Sequence, residues 1–271
     1  MTARTDDGGE RGGRDELRRA GAVTVSALGS ARVVTWDRQA NRNAWTRETI
    51  EGIADAIEAA GADEAVRCVV ARGAGEHFSA GDDLFAAIEA TPESWAATVR
   101  AFQRVTTAAM AAPVPVLAAI DGVCIGGALE FAASCDLRLA TERARFGTPE
   151  VGIGLTYTNA GSHFLPSTMG ETAARELLLT GALRDVEWAQ RHRFVNEVVP
   201  PPAFEERIAA WAAGFDEVSR AAVARTKAML NDRFGALLDA AMEREERACI
   251  ELFDGPDAPG LLQDFAQRRR R

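Results

Sequence analysis

The chain has 271 residues, 47% of them hydrophobic, with a net charge of −9 and a pI of about 5.0. That supplies apolar residues for a sizeable core and argues against general nucleic-acid binding. Composition disfavours membranes and metals as well: no apolar run nears the roughly 20 residues that span a bilayer, and the four cysteines form no C-x-x-C pair and the three histidines are scattered, as a zinc site would not have them.

Met1–Arg19 is polar and charged, without the apolar stretch of a secretory leader, so a cytoplasmic protein is expected. Residues 1–20, rich in Arg, Asp and Gly, read as a disordered arm. Alternation over Ala22–Leu28 and Arg32–Trp36 predicts a hairpin turning at Gly29-Ser30. The polar loop Asp37–Ala44 leads to a helix over Thr46–Ala60, capped by Thr46, with Ile50, Ile53 and Ile57 on one face. Arg67–Ala71 reads as a short buried strand, and Phe78–Leu84 holds a glycine-bearing turn with exposed amides. A helix over Glu93–Ala111 ends before Pro113 and Pro115, and Val116–Ile120 is the next strand.

Gly126 and Gly127 then precede the apolar run Ala128–Ser134, the pattern of a tight turn entering a buried helix whose first amides are free. Glu130 lies inside that run, where an unpaired carboxylate is costly. A second carboxylate, Glu150, follows the turn Phe146-Gly-Thr-Pro149. Asp136–Ala140 is a strand, Glu171–Thr180 a helix stopped by Gly181, Val186–Arg191 a short helix and Phe194–Val199 a last strand. Pro200-Pro-Pro202 marks a boundary. Beyond it, Phe204–Phe215, Ser219–Asn231 and Phe234–Leu252 are helical, with apolar stripes too wide for solvated helices. Arg268–Arg271 reads as a frayed tail.

Two glycine turns with free amides and two carboxylates suit a reaction that develops an oxyanion while moving protons. Phe78-Ser-Ala-Gly81, Gly122-Val-Cys-Ile-Gly-Gly-Ala-Leu-Glu130, Cys135-Asp136 and Phe146-Gly-Thr-Pro-Glu150 together resemble the enoyl-CoA hydratase/isomerase (crotonase) superfamily, from about Val23 to the C-terminus. The resemblance implies an α/β fold: a ββα-superhelix (spiral) core over residues 21–202, and a C-terminal helical region over 203–271 that makes trimers or dimers of trimers. It implies an acyl-CoA substrate and no metal or redox cofactor. Oxyanion amides fall at Ala80 and Gly127, and Glu130 and Glu150 share a water, Glu130 activating it and Glu150 delivering a proton to Cα.

Further positions carried over by the resemblance are Asn43 and Ala44 near the coenzyme, and Ser79, Leu84 and Gly126 beside the two amides. Asp82 and Asp83 follow the first of these; a helix cap and loop-fixing bonds compete with substrate contact there, as Asn43 could simply satisfy its own turn. Lys227 falls near a family lysine that meets the coenzyme's phosphates, with a solvated helix position as the alternative. The chain departs from the family at Gly154–Ser162. Tyr157 stands where Pro is usual and Thr158 where a Gly amide lies near the water. With Asn159 they either read a polar group on an unusual acyl chain or form a surface turn. Enoyl-CoA hydration is the leading expectation. Double-bond isomerisation, a tailoring reaction on an unusual acyl thioester, and a non-catalytic binding role are its rivals.

Overall fold

The computed structural model describes residues 16–20 and 23–269. Ten strands are β1 (Glu16–Ala20), β2 (Val23–Leu28), β3 (Ala31–Trp36), β4 (Cys68–Gly73), β5 (Val116–Ile120), β6 (Val123–Ile125), β7 (Leu137–Thr141), β8 (Arg145–Gly147), β9 (Arg184–Asp185) and β10 (Glu197–Val199). The α-helices are α1 (Arg47–Ala62), α2 (Leu84–Ile88), α3 (Pro92–Ala111), α4 (Gly127–Ser134), α5 (Gly161–Met169), α6 (Glu171–Thr180), α7 (Val186–Arg191), α8 (Phe204–Gly214), α9 (Arg220–Asp232), α10 (Gly235–Phe253) and α11 (Ala258–Arg269). The arm expected over residues 1–20 falls outside the described residues up to Asp15. Its last part, β1, is an edge strand paired antiparallel with β2.

The main sheet runs β1-β2-β3-β4-β5-β7-β10, antiparallel through β3 and parallel from there on. A small sheet, β6-β8-β9, stands apart from it. Each central turn of the chain gives one strand to the main sheet, one extended segment to the small sheet, then a helix. β5, β6 and α4 make one such turn, and β7 and β8 open the next. The stretch after β4 behaves alike, through a parallel bridge between Ser79 and Cys124. This is the expected ββα spiral.

The central strands are apolar on both faces because both are covered. Val69 and Ala71 of β4 join the large core under α1, α3 and α4, while Cys68 and Val70 face a second core closed by Phe204, Ile208 and Ala212 of α8. So α8 belongs to the sheet and not to a separate C-terminal region. A third cluster joins Trp95 and Val99 of α3 to Ile153, Leu155, Cys249 of α10 and Leu262 of α11. The last two helices therefore fold back over the mouth of the spiral. α11, which was not foreseen, extends through Arg269, so part of the predicted frayed tail is helical and residues 270–271 lie outside the described residues. Among the described residues no helix is long and apolar enough to cross a membrane.

Candidate active site

Every residue of α4 is buried, so Glu130 is carried through the centre of the molecule with 1% of its surface exposed. Its Oε2 accepts the amides of Thr158 (3.2 Å), Asn159 (3.0 Å) and Gly161 (3.2 Å). Burial pushes its carboxyl well above the usual range, and the charges of Glu245 and Glu150 push the same way; the Asn159 and Thr158 amides oppose them. Glu150 sits on the 3-10 turn Pro149–Ile153, opened by a proline at its start. Burial raises its carboxyl to about 7. Its Oε2 has no hydrogen-bond partner among the described residues.

Both carboxylates line one narrow cavity of about 40 Å³, with Asp82, Gly126, Thr156 and Thr158 among its polar lining and Leu84, Trp95, Ile153 and Leu155 as its apolar wall. Ala80, Asp82 and Leu84 also line an outer groove of about 350 Å³ with Arg42, Ala44 and Phe85, so the cavity opens along an elongated channel. Asp82 adds a third carboxyl to the inner cavity, raised well above its ordinary range by burial and then by the charge of Glu150.

The free amides differ from expectation at one position. The N–H groups of Phe78, Ser79 and Ala80 are all taken, by Asp121 O, Val123 O and Arg42 O at 2.6, 2.9 and 3.0 Å. Ala80 is thus not an open donor: the strand pairing runs two residues further than the motif suggested. Gly81 (φ +80) then turns the chain so close to the second glycine turn that a Cβ there would lie 2.7 Å from Ile125 O. Trp45 N donates to Gly81 O and Asp83 N to Trp45 O, a parallel bridge in which the amide of Asp82 points the other way. That amide has no backbone acceptor among the described residues, and its own carboxylate folds back on it. Gly127 is the first residue of α4, where the helix leaves its amide unpaired, as expected. The candidate pair of donors is therefore Asp82 and Gly127.

Trp45 stacks on Phe102 and meets Trp36 edge-on at 5.2 Å, anchoring the 81–83 segment from behind. Asn43 and Ser79 are buried and spent on this same loop. Asn43 Nδ2 donates to Ala74 O and His77 O, and Ser79 Oγ to Asn43 O, so their side chains build the loop and do not face the groove. Asp83 caps α2 and accepts from Arg38 Nη2 at 2.8 Å. Tyr157 packs against the large core while its neighbours Thr156 and Thr158 line the cavity.

Lys227 corrects the sequence reading outright. It is 6% exposed, and its Nζ donates to Ala109 O, Val114 O and Asp136 Oδ2 at 2.7, 3.1 and 2.6 Å. A buried ammonium spent on three acceptors has nothing left for a phosphate. Glu245, which motif reading missed, lies on the buried stripe Leu238, Met242, Glu245, Cys249 of α10. A glutamate at helical spacing among buried apolar residues was the signal that could have found it.

Gly161 shows how tightly Glu130 is held. A Cβ there would lie 2.7 Å from Glu130 Oε2, closer than real Cβ contacts come. Gly161→Ala should leave the helical backbone intact and displace the carboxylate, lowering turnover by about 10²-fold. Steady-state kinetics beside a circular dichroism spectrum would check this; full activity would show that Glu130 needs no such seat.

The family model for enoyl-CoA hydratase/isomerase matches residues 28–270. The chain belongs to this family. Among its relatives, crotonyl-CoA hydratase of Syntrophomonas wolfei is 32% identical over 234 residues, 84% of this chain and 88% of that protein. The short-chain-enoyl-CoA hydratase of Clostridium acetobutylicum is 30% identical over 249 residues, 92% of this chain and 95% of that one. Of solved structures, an enoyl-CoA hydratase/isomerase from Xanthobacter autotrophicus Py2 superposes with a TM-score of 0.83 at 30% identity, over 92% of this chain and 94% of the other. An enoyl-CoA hydratase from Mycobacterium avium subsp. paratuberculosis gives 0.84 at 28%, over 92% and 97%. The crotonase-like fold and membership of a family acting on acyl-CoA thioesters follow.

Proposed function

We propose that this member of the family is an enoyl-CoA hydratase, adding water across the 2,3 double bond of an enoyl-CoA. One observation carries the reading: Glu130 and Glu150 converge on a single cavity that Asp82 and Gly126 also line, and the amides of Asp82 and of Gly127, next along from Gly126, have no backbone acceptor among the described residues. The thioester oxygen takes those two amides, displacing the Asp82 carboxylate from its own N–H. Charge developing on that oxygen as an enolate then meets two donors and the N-terminus of α4, which favours the transition state over the ground state. Glu130 in its ionised form, seated by three amides, takes a proton from the water attacking Cβ. Glu150, protonated up to about pH 7, delivers a proton to Cα. The two titrate as a coupled pair.

The outer groove carries the coenzyme in this reading, with Ala44 and Leu84 along it. Met229 and Leu230 on α9 and Leu237 on α10 are 70%, 60% and 64% exposed, which supports assembly as a homotrimer or dimer of trimers. The test is a mass-resolved incubation with short, long and aromatic 2-enoyl-CoAs. A gain of one water supports hydration; a shifted double bond without water would replace it with isomerisation.

A pH dependence follows with a definite sign. Glu150 must hold its proton to act as the acid, so kcat/KM should fall as pH rises through about 7. Glu150→Gln should remove that limb. The same group opposes folding when ionised: from about pH 4.5 to 7 the native state keeps a proton that the unfolded chain has lost. Its stabilising contribution is full below that window and declines as pH rises through it. An alkaline limb unchanged in Glu150→Gln would assign it to another group.

A further inference from the structure

Five consecutive amides at the start of α5 are divided between two carboxylates. Thr158, Asn159 and Gly161 donate to Glu130 Oε2, while Ala160 donates to Glu245 Oε2 at 2.6 Å and Ser162 to Glu245 Oε1 at 2.9 Å. The Ser162 hydroxyl also donates to Glu245 Oε1. The alternation arises because Ala160 adopts the left-handed conformation (φ 67, ψ 29), which turns its amide away from those on either side. A non-glycine residue is held there at a cost, and the paired carboxylates on opposite sides of the segment offset it. Glu245 is 5% exposed and reaches the segment from α10, some 85 residues away in the chain. Gln103 of α3 ties the same segment to α10, donating to Thr158 O and Met242 O.

We infer that Glu245 is a positioning residue for Glu130: it holds the 158–162 segment in the shape that presents three amides to Glu130. It does not touch the cavity, so it acts only through its neighbour. After burial, the charge of Glu245 raises the Glu130 carboxyl most, ahead of that of Glu150. The other groups facing this region are Tyr157 from the segment itself, Cys249 one helical turn along α10, and Asp82 behind Glu150. Arg175 of α6 is the cation that reaches Tyr157. Two carboxylates on one helix N-terminus repel each other, and the amides between them make the arrangement tolerable.

The inference rests on the hydratase reading only in taking Glu130 as the group that works on substrate. Its test therefore has a readout independent of turnover. Protein labelled with 13C at the glutamate carboxyls, with the Glu130 resonance assigned through Glu130→Gln, is titrated as wild type, Glu245→Gln and Glu245→Asp. Removing the charge in Glu245→Gln should lower the Glu130 midpoint by about one pH unit, and Glu245→Asp should return it toward the wild-type value. With enoyl-CoA as substrate, Glu245→Gln should lower kcat about tenfold and change KM less than twofold, since the coenzyme groove is untouched. Should Glu245→Gln fail to fold, Ser162→Ala gives a smaller displacement of the same sign, because losing the hydroxyl donor leaves Glu245 less ionised. An unmoved Glu130 midpoint in a folded variant overturns the inference. A wild type inert toward every enoyl-CoA overturns the hydratase reading instead, while the titration still decides the role of Glu245.

Discussion

Replacing Glu130 by glutamine should lower enoyl-CoA hydration about 10³-fold while leaving the protein folded. The isosteric amide keeps an oxygen for the Thr158, Asn159 and Gly161 amides, so the seat survives. What is lost is the base. Positioned acid–base groups contribute roughly 10²–10⁴ to rate, and a thousandfold corresponds to about 4 kcal/mol of transition-state stabilisation. Glu150→Gln should produce a loss of similar size. The double variant should be little worse than either single one, because both groups act on the same water and their effects are not additive. Coupled spectrophotometric assays on the three variants decide this. If hydration persists within tenfold of wild type in either single variant, the two-carboxylate mechanism is wrong.

The second large effect concerns stability. Lys227→Met should destabilise the protein by about 3 kcal/mol, near the low end for breaking a buried ion pair because Asp136 remains partly wet, its side chain 25% exposed. It strands the Asp136 carboxylate and frees two carbonyls, Ala109 O and Val114 O, that bracket the turn between α3 and β5. For a chain of this size the melting temperature should drop by about 10 °C. Adding Asp136→Asn should recover part of the loss, since the stranded charge is then gone. KM for the acyl-CoA should be unchanged. A raised KM with normal melting would return Lys227 to the coenzyme's phosphates.

Much of the architecture was legible in the sequence. β4 and β5 announce themselves as short runs without polar interruption because both faces of the sheet are covered. The boundaries of α6 and α7 follow from Gly181 and from Asp185, whose side chain caps Trp188 N. The misses have physical causes. α5 begins at a left-handed alanine with no side-chain cap and carries Pro166 inside it, so it does not look like a helix. α11 starts with proline and glycine in its first turn. Gly126 and Gly127 were readable because their spacing to Glu130 is local. The open amide at Asp82 was not, because which N–H is left free depends on how Arg42 and Trp45 pair with the strand, and those residues are some 40 positions upstream. Glu245 and Lys227 each make their decisive bonds across 80 or more residues, beyond the reach of any motif.

Cys249 and Leu262, which pack with the wall residues Trp95, Ile153 and Leu155, and the carboxylate of Glu245 come from the last tenth of the chain. During synthesis on the ribosome, β10 completes the main sheet while α10 and α11 are still unmade or inside the exit tunnel. The sheet and its helices can close at that stage, but the cavity wall lacks the residues that pack with it and Ala160 and Ser162 lack their acceptor. A nascent chain of this protein thus carries Glu130 and Glu150 before Glu245 has arrived to share the amides that seat Glu130.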